Sequence, residues 1–180
     1  MIPNTEKCIF LMNAYGMLDN IKAHSFKVGK VASIIAEGTI KSGINISLEK
    51  VTAGALMHDI AKTMCLESNE DHAKRGKEIC LENDFFEIAE IVGEHVQLTS
   101  YKPDDEVNEK EIIYYADKRV NHNEVVSLEQ RLVYLIERYA KNEKPLIKRI
   151  EENFRKCSEV EKKIFSHLDF SPEDLNDLAD

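Results

Sequence analysis

Residues Val51–Lys62 read VTAGALMHDIAK, a mostly apolar run that ends in a histidine followed at once by an aspartate. A helix of that composition is a core helix, so the His58-Asp59 pair at its end is buried with it. An unpaired carboxylate taken out of water costs several kcal/mol or picks up a proton. A divalent cation removes the difficulty, because imidazole and carboxylate then become ligands. That reading requires further ligands elsewhere. His24, His72, His95 and Asp117, each in a segment of helical pattern, supply them.

Outward from this stretch the periodicity stays helical. In residues 20–42, His24, Val28, Val31 and Ile35 fall at i, i+4, i+7 and i+11, one stripe on one face, and Gly43 is placed to end that helix. Ser47 suits the N-cap of the helix that runs to His58. Residues 71–83 carry His72, Gly76 and Ile79 on one face, 85–96 align Ile88, Ile91, Val92 and His95, and 108–119 align Ile113, Tyr114 and Asp117. Ser127–Gln130 is a capping box that opens a helix to Tyr139. Pro145 suits the first turn of a long amphipathic helix with Ile147, Ile150, Phe154, Cys157, Ile164 and Leu168 inward, and Ser171–Asp174 starts a short final one. Polar breaks fall at 41–45, 65–71 and 100–107, the third being the most exposed. The expected fold is all-α: a helical bundle over residues 1–142, then a C-terminal helical extension, 143–180, packed on the same domain.

A chain of 180 residues can bury a full core. Its net charge of −9 turns away nucleic-acid polymers and anionic membranes. A small phosphorylated substrate remains open to it, since bound metal ions outweigh local protein charge. Cys8, Cys65, Cys80 and Cys157 form no C-x-x-C pair, which argues against a zinc ribbon or a thioredoxin-like motif and for reduced thiols. No apolar run approaches the ~18 residues of a membrane span, and Cys8–Met12 is too short for a signal peptide. The expected location is the cytoplasm.

His24, His58, Asp59, His72, His95 and Asp117 lie on five helices. Each alone would need its own partner in the core, whereas one shared metal centre satisfies all of them. Imidazoles and carboxylates without thiolates suit one or two first-row divalent ions (Fe, Mn, Co, Ni or Zn) better than Ca. Six ligands are too many for one catalytic ion with an open position. Two ions need a bridge, and Asp59 has two oxygens to share. A two-metal site lowers the pKa of a bridging water and clamps both oxygens of a phosphoryl displacement, so hydrolysis is the implied chemistry. Lys62, one turn beyond His58, is placed to meet charge growing on a phosphoryl oxygen, as well as to bind substrate. Lys118 and Arg119, beside Asp117, are candidates for further phosphates, and Arg131 is a weaker one. His122 and His167 join no apolar stripe and read as surface residues.

The order His24 … His58-Asp59 … Asp117 resembles the HD-domain superfamily of metal-dependent phosphohydrolases. LMHDIAK (56–62) resembles its signature segment. HAKRG (72–76), IVGEH (91–95) and YYADK (114–118) resemble the branch with dinuclear centres, similar to the symmetrical dinucleoside tetraphosphate hydrolases and the cyclic-dinucleotide phosphodiesterases. The resemblance covers about residues 20–140. It implies an all-helical core and hydrolysis of phosphate esters or anhydrides, very often in nucleotides. It implies also that His24, His58, Asp59 and Asp117 form the shared metal set, that His72 and His95 complete a second sphere, and that Lys62 matches a lysine common after the doublet. A Gly-Tyr-Pro run is missing, and Val120–Asn123 stands where the tetraphosphate hydrolase branch has a Glu-Pro run. Two other classes compete: a nucleotide-binding regulatory module with little turnover, though such modules usually lose ligands, and an oxygenase, which needs a redox-active iron pair.

Overall fold

Asparagine, serine and aspartate side chains open five of the helices in the computed structural model, which describes residues 1–68 and 70–180. Asn69, in the polar break at 65–71, lies outside the described residues. Helix α1 (Thr5–Ala14) is capped by Asn4 and leads into α2 (Asp19–Lys41), the long central helix. The stripe His24, Val28, Val31 and Ile35 is buried on α2, and Gly43 turns the chain out of it at φ +94°. Helix α3 (Leu48–Met57) starts where expected: the Ser47 hydroxyl accepts the Lys50 N–H at 3.3 Å.

Helices α4 (His72–Glu82) and α5 (Phe86–Glu94) form a hairpin that packs beside α3. Two glycines permit the close approach. A Cβ on Gly54 would stand 2.6 Å from Ile91 Cγ2, and one on Gly76 would stand 2.9 Å from Val92 Cγ1. Larger residues at either place would push apart the helices that carry the histidines.

Helix α6 (Glu109–Lys118) runs through the core with Ile112, Ile113, Tyr114 and Tyr115 fully buried. A two-residue hairpin follows, β1 (Val120–Asn121) against β2 (Glu124–Val125), with Val120 facing Val125 and His122 in the left-handed region at φ 56°. Helical periodicity gives no sign of it, yet the fold remains mostly helical. Helix α7 (Leu128–Leu135) has the expected Ser127/Gln130 capping box. It widens into a π-helical turn, Ile136–Ala140, and Lys141 and Asn142 then break the direction at φ 44° and 66°.

Helix α8 (Lys144–Phe165) crosses α6 and α7. Tyr114 and Tyr115 fasten it, their hydroxyls donating to Asn153 O at 2.7 Å and to Glu161 Oε2 at 2.6 Å. Leu168, expected on the inner face of this helix, lies past its end and packs against Gly38 of α2. A 3-10 turn (Pro172–Asp174) and α9 (Leu175–Leu178) complete the described chain.

Candidate metal centre

His58 is the first residue past α3, and its Nδ1–H donates to Ala55 O at 2.6 Å. His95 is the first residue past α5, and its Nδ1–H donates to Val92 O at the same 2.6 Å. His24, on α2, donates its Nδ1–H to His122 O at 3.0 Å, a carbonyl delivered by the left-handed residue of the small hairpin. A carbonyl only accepts, so in each ring Nδ1 carries a proton and a neutral ring offers the Nε2 lone pair inward.

These nitrogens converge on Asp59. Its Oδ2 lies 3.4 Å from His58 Nε2 and 4.0 Å from His24 Nε2, and its Oδ1 lies 3.3 Å from His72 Nε2 and 3.5 Å from His95 Nε2. Two groups result, His24–His58–Asp59 and Asp59–His72–His95, each with its ligand atoms within 4.8 Å of one another. Asp117 Oδ1 joins the first, 3.0 Å from His24 Nε2 and 3.7 Å from His58 Nε2. The six residues expected at one centre therefore meet at one centre.

Two buried atoms test whether this cluster fits a metal. His58 Nε2 and Asp59 Oδ1 have no hydrogen-bond partner, although each faces several polar atoms. Lone pairs pointed at carboxylate oxygens repel one another unless a cation sits between them. Nitrogen and oxygen donors with no thiolate are the set that first-row divalent ions take. The donors fit such ions, and the cluster is able to hold them.

Without an ion, the charges of the cluster compensate one another. Burial opposes the charge of Asp59, but His58 and Lys62 outweigh it and hold the carboxyl well below the usual carboxylate range. Asp117 is likewise pushed up by burial and carried well below that range by His24 and Lys118. Burial drives His95 down to about 4, so its ring is neutral at pH 7. Burial also works against charging His58, yet Asp59 beside it raises its pKa overall.

A cavity of about 510 Å³ opens onto this cluster. Asp59, His72, His95 and Asp117 stand at one end, and Leu135, Tyr139, Ile150 and Phe154 from α7, the π turn and α8 form an apolar wall. Ile150 and Phe154 point inward as helical periodicity expects, Phe154 buried in the core and Ile150 packed against it, and both also border this space. Lys62 lines the cavity with its Nζ 2.7 Å from Asp59 Oδ2. Lys118 also lines it but is buried, its ammonium donating to His95 O at 2.8 Å and Tyr114 O at 3.2 Å. It ties the end of α5 to α6.

The expectation of a phosphate contact from Arg119 needs correction. Its guanidinium turns the other way, donating to Val126 O at 2.6 Å and Pro172 O at 2.9 Å and pairing with Glu161 at 3.4 Å. It does not line the cavity. His122 is exposed as expected, but its carbonyl orients His24, a role no side-chain pattern signals. His167 is exposed and stands apart.

The HD domain family matches residues 21–142, well over half of the chain. The chain is also 32% identical over 97 residues to a tRNA (cytidine(56)-2′-O)-methyltransferase of Thermoplasma volcanium, a match that covers 53% of this chain and 27% of that protein. The chain thus spans about a quarter of that relative's length. No solved structure matches it. Among the described residues no helix is long and apolar enough to cross a membrane.

Proposed function

This chain belongs to the HD-domain family, whose members are typically metal-dependent phosphohydrolases, and we propose that it cleaves a phosphate ester or anhydride in a nucleotide or a related small phosphorylated metabolite. One observation carries the reading: Asp59 presents each of its oxygens to a different pair of imidazoles, two of the facing atoms being buried without a hydrogen bond. In this proposal His24, His58, Asp59 and Asp117 would hold one divalent ion, and Asp59, His72 and His95 would hold a second. Ions bound there supply an activated water and neutralise phosphoryl oxygens.

The chain's own groups do the rest. Ala55, Val92 and His122 fix three rings through their carbonyls, so the Nε2 atoms need no rearrangement to bind. Lys62 steadies Asp59 and presents its remaining N–H groups to the cavity, where they meet charge on a phosphoryl oxygen. The apolar wall excludes water and gives the organic part of the substrate a surface. A volume of about 510 Å³ falls in the range usual for small-molecule sites. The net charge of −9 supports a small substrate over a nucleic-acid polymer, whatever the tRNA-directed relative acts on.

The test is phosphate release from p-nitrophenyl phosphate, bis(p-nitrophenyl) phosphate and a nucleotide panel, with Fe, Mn, Co, Ni or Zn added. Metal-dependent turnover is expected, and Asp59→Ala should lower it by about a thousandfold or more while helicity is kept. Full activity in Asp59→Ala would contradict the proposal.

A further inference from the structure

Among the described residues, buried cations come with carboxylates, with one exception. Lys118 has Asp117 at 3.7 Å, Arg119 has Glu161 at 3.4 Å and Lys163 has Glu111 at 2.9 Å. Arg131, on α7, is only 9% exposed, and among the described residues no carboxylate pairs with it. Its Nη1 donates to Asn121 Oδ1 at 2.7 Å, the Tyr134 ring lies 5.5 Å from its guanidinium carbon, and its buried Nε has no partner. A buried guanidinium without a counter-ion is costly, and its planar fork of donors matches the oxygens of an arriving phosphate.

Arg131 lines the same cavity as the metal cluster. Four cationic side chains, Lys62, Lys118, Arg131 and Arg149, face three carboxylates there, Asp59, Glu70 and Asp117. Lys62 and Lys118 stand with Asp59 and Asp117 at the metal end. Arg131 and Arg149 belong to the α7 and α8 wall, which contributes no carboxylate to the cavity. Both ends line the same cavity of about 510 Å³, so they are within reach of one small ligand.

We infer that Arg131 anchors a second phosphoryl group of the substrate, one other than the group attacked at the metal centre, and that the substrate is therefore a diphosphate or longer polyphosphate rather than a simple monophosphate. This rests on the phosphohydrolase reading. Asn121 holds one arm of the guanidinium and the Tyr134 ring lies beside it, so the fork is oriented before ligand arrives.

The experiment is calorimetric binding of methylphosphonate and of methylenediphosphonate to the metal-loaded chain at one fixed free-metal concentration. The wild-type chain should prefer the diphosphonate by about tenfold or more, and Arg131→Gln should reduce that preference to less than about threefold. An undiminished preference in Arg131→Gln, or no preference in the wild type, would overturn the inference. If Arg131→Gln loses its helical circular dichroism, Arg131→Lys takes its place. It keeps the charge without the fork and should show a smaller drop in preference, and an unchanged preference would again overturn the inference. Turnover of p-nitrophenyl phosphate by the wild-type chain reports separately on the phosphohydrolase reading. A chain that prefers the diphosphonate through Arg131 yet hydrolyses no phosphate ester refutes only that reading.

Discussion

The two halves of the His/Asp cluster share Asp59 but are built differently. In the half formed with His24, His58 and Asp117, both rings are buried and each Nδ1–H is fastened to a backbone carbonyl. In the other half, His95 is fastened the same way, but His72 is the first residue of α4, its side chain 27% exposed, and its Nδ1 makes no hydrogen bond among the described residues. Ligands held by their surroundings bind metal more tightly than ligands that must first be ordered. The first half should therefore bind firmly, and the second should exchange its ion.

The largest effect expected is from Asp59→Ala, which removes the residue both halves share. Elemental analysis should find bound metal falling from about two ions per chain to none, with turnover lost alongside it. A variant that still holds both ions would break the comparison at its centre.

His24→Ala against His72→Ala sharpens it. His24→Ala strands the carbonyl of His122 and removes the partner of Asp117, so it should lose the tight ion and about 1–3 kcal/mol of stability in urea melts. His72→Ala takes away a part-exposed ring with no backbone anchor, so it should lose one weakly held ion and less than about 0.5 kcal/mol. Equal losses of stability from the two variants would mean the halves are built alike.

Legibility followed chemistry rather than geometry. His24, His58, Asp59, His72, His95 and Asp117 stood out because imidazoles and carboxylates on apolar stripes need a reason to be there, and the structure brings all six together. The helical fold was readable for a similar reason, with Ser47, Gly43 and the Ser127/Gln130 box marking ends that the structure reproduces. The difference between the halves was not readable, because carbonyls from Ala55, Val92 and His122 could come from any residue. Arg119 misled because adjacency in sequence is not adjacency in direction: one residue on from Lys118, at the helix end, the side chain points to Glu161 on α8. The apolar stripe of α8 was readable as inward, with Phe154, Cys157 and Ile164 buried, but not that Ile150 and Phe154 also border the cavity, because a stripe beside a cavity has the same period as one wholly in a core.

Acid should expose His95. Its folded pKa of about 4, set mainly by burial, lies below the ordinary 6.5, so as pH falls the unfolded chain takes up this proton first. In metal-free protein its contribution is complete above about pH 6.5 and is lost toward pH 4, about 3 kcal/mol in all. Asp59 and Asp117, with pKa values lowered on folding, act in the same direction near the bottom of that window. Urea melts in chelator across the window measure the slope, and His95→Asn should flatten it.

Gly76→Ala is the mildest probe. The new methyl stands 2.9 Å from Val92 Cγ1 and forces α4 from α5. Overpacking of about 1–3 kcal/mol is partly offset by the ~1 kcal/mol helix preference of alanine over glycine. The melting temperature should drop by a few degrees, and metal affinity should weaken only in the half that contains His72.

The most direct test is titration of Mn or Co into metal-free protein by calorimetry, with His72→Ala run beside the wild type. Two ions per wild-type chain with unequal affinities, the weaker alone vanishing in His72→Ala, is the result that a cluster divided across Asp59 predicts. A single ion in the wild type, or loss of the tighter ion in His72→Ala, would contradict it.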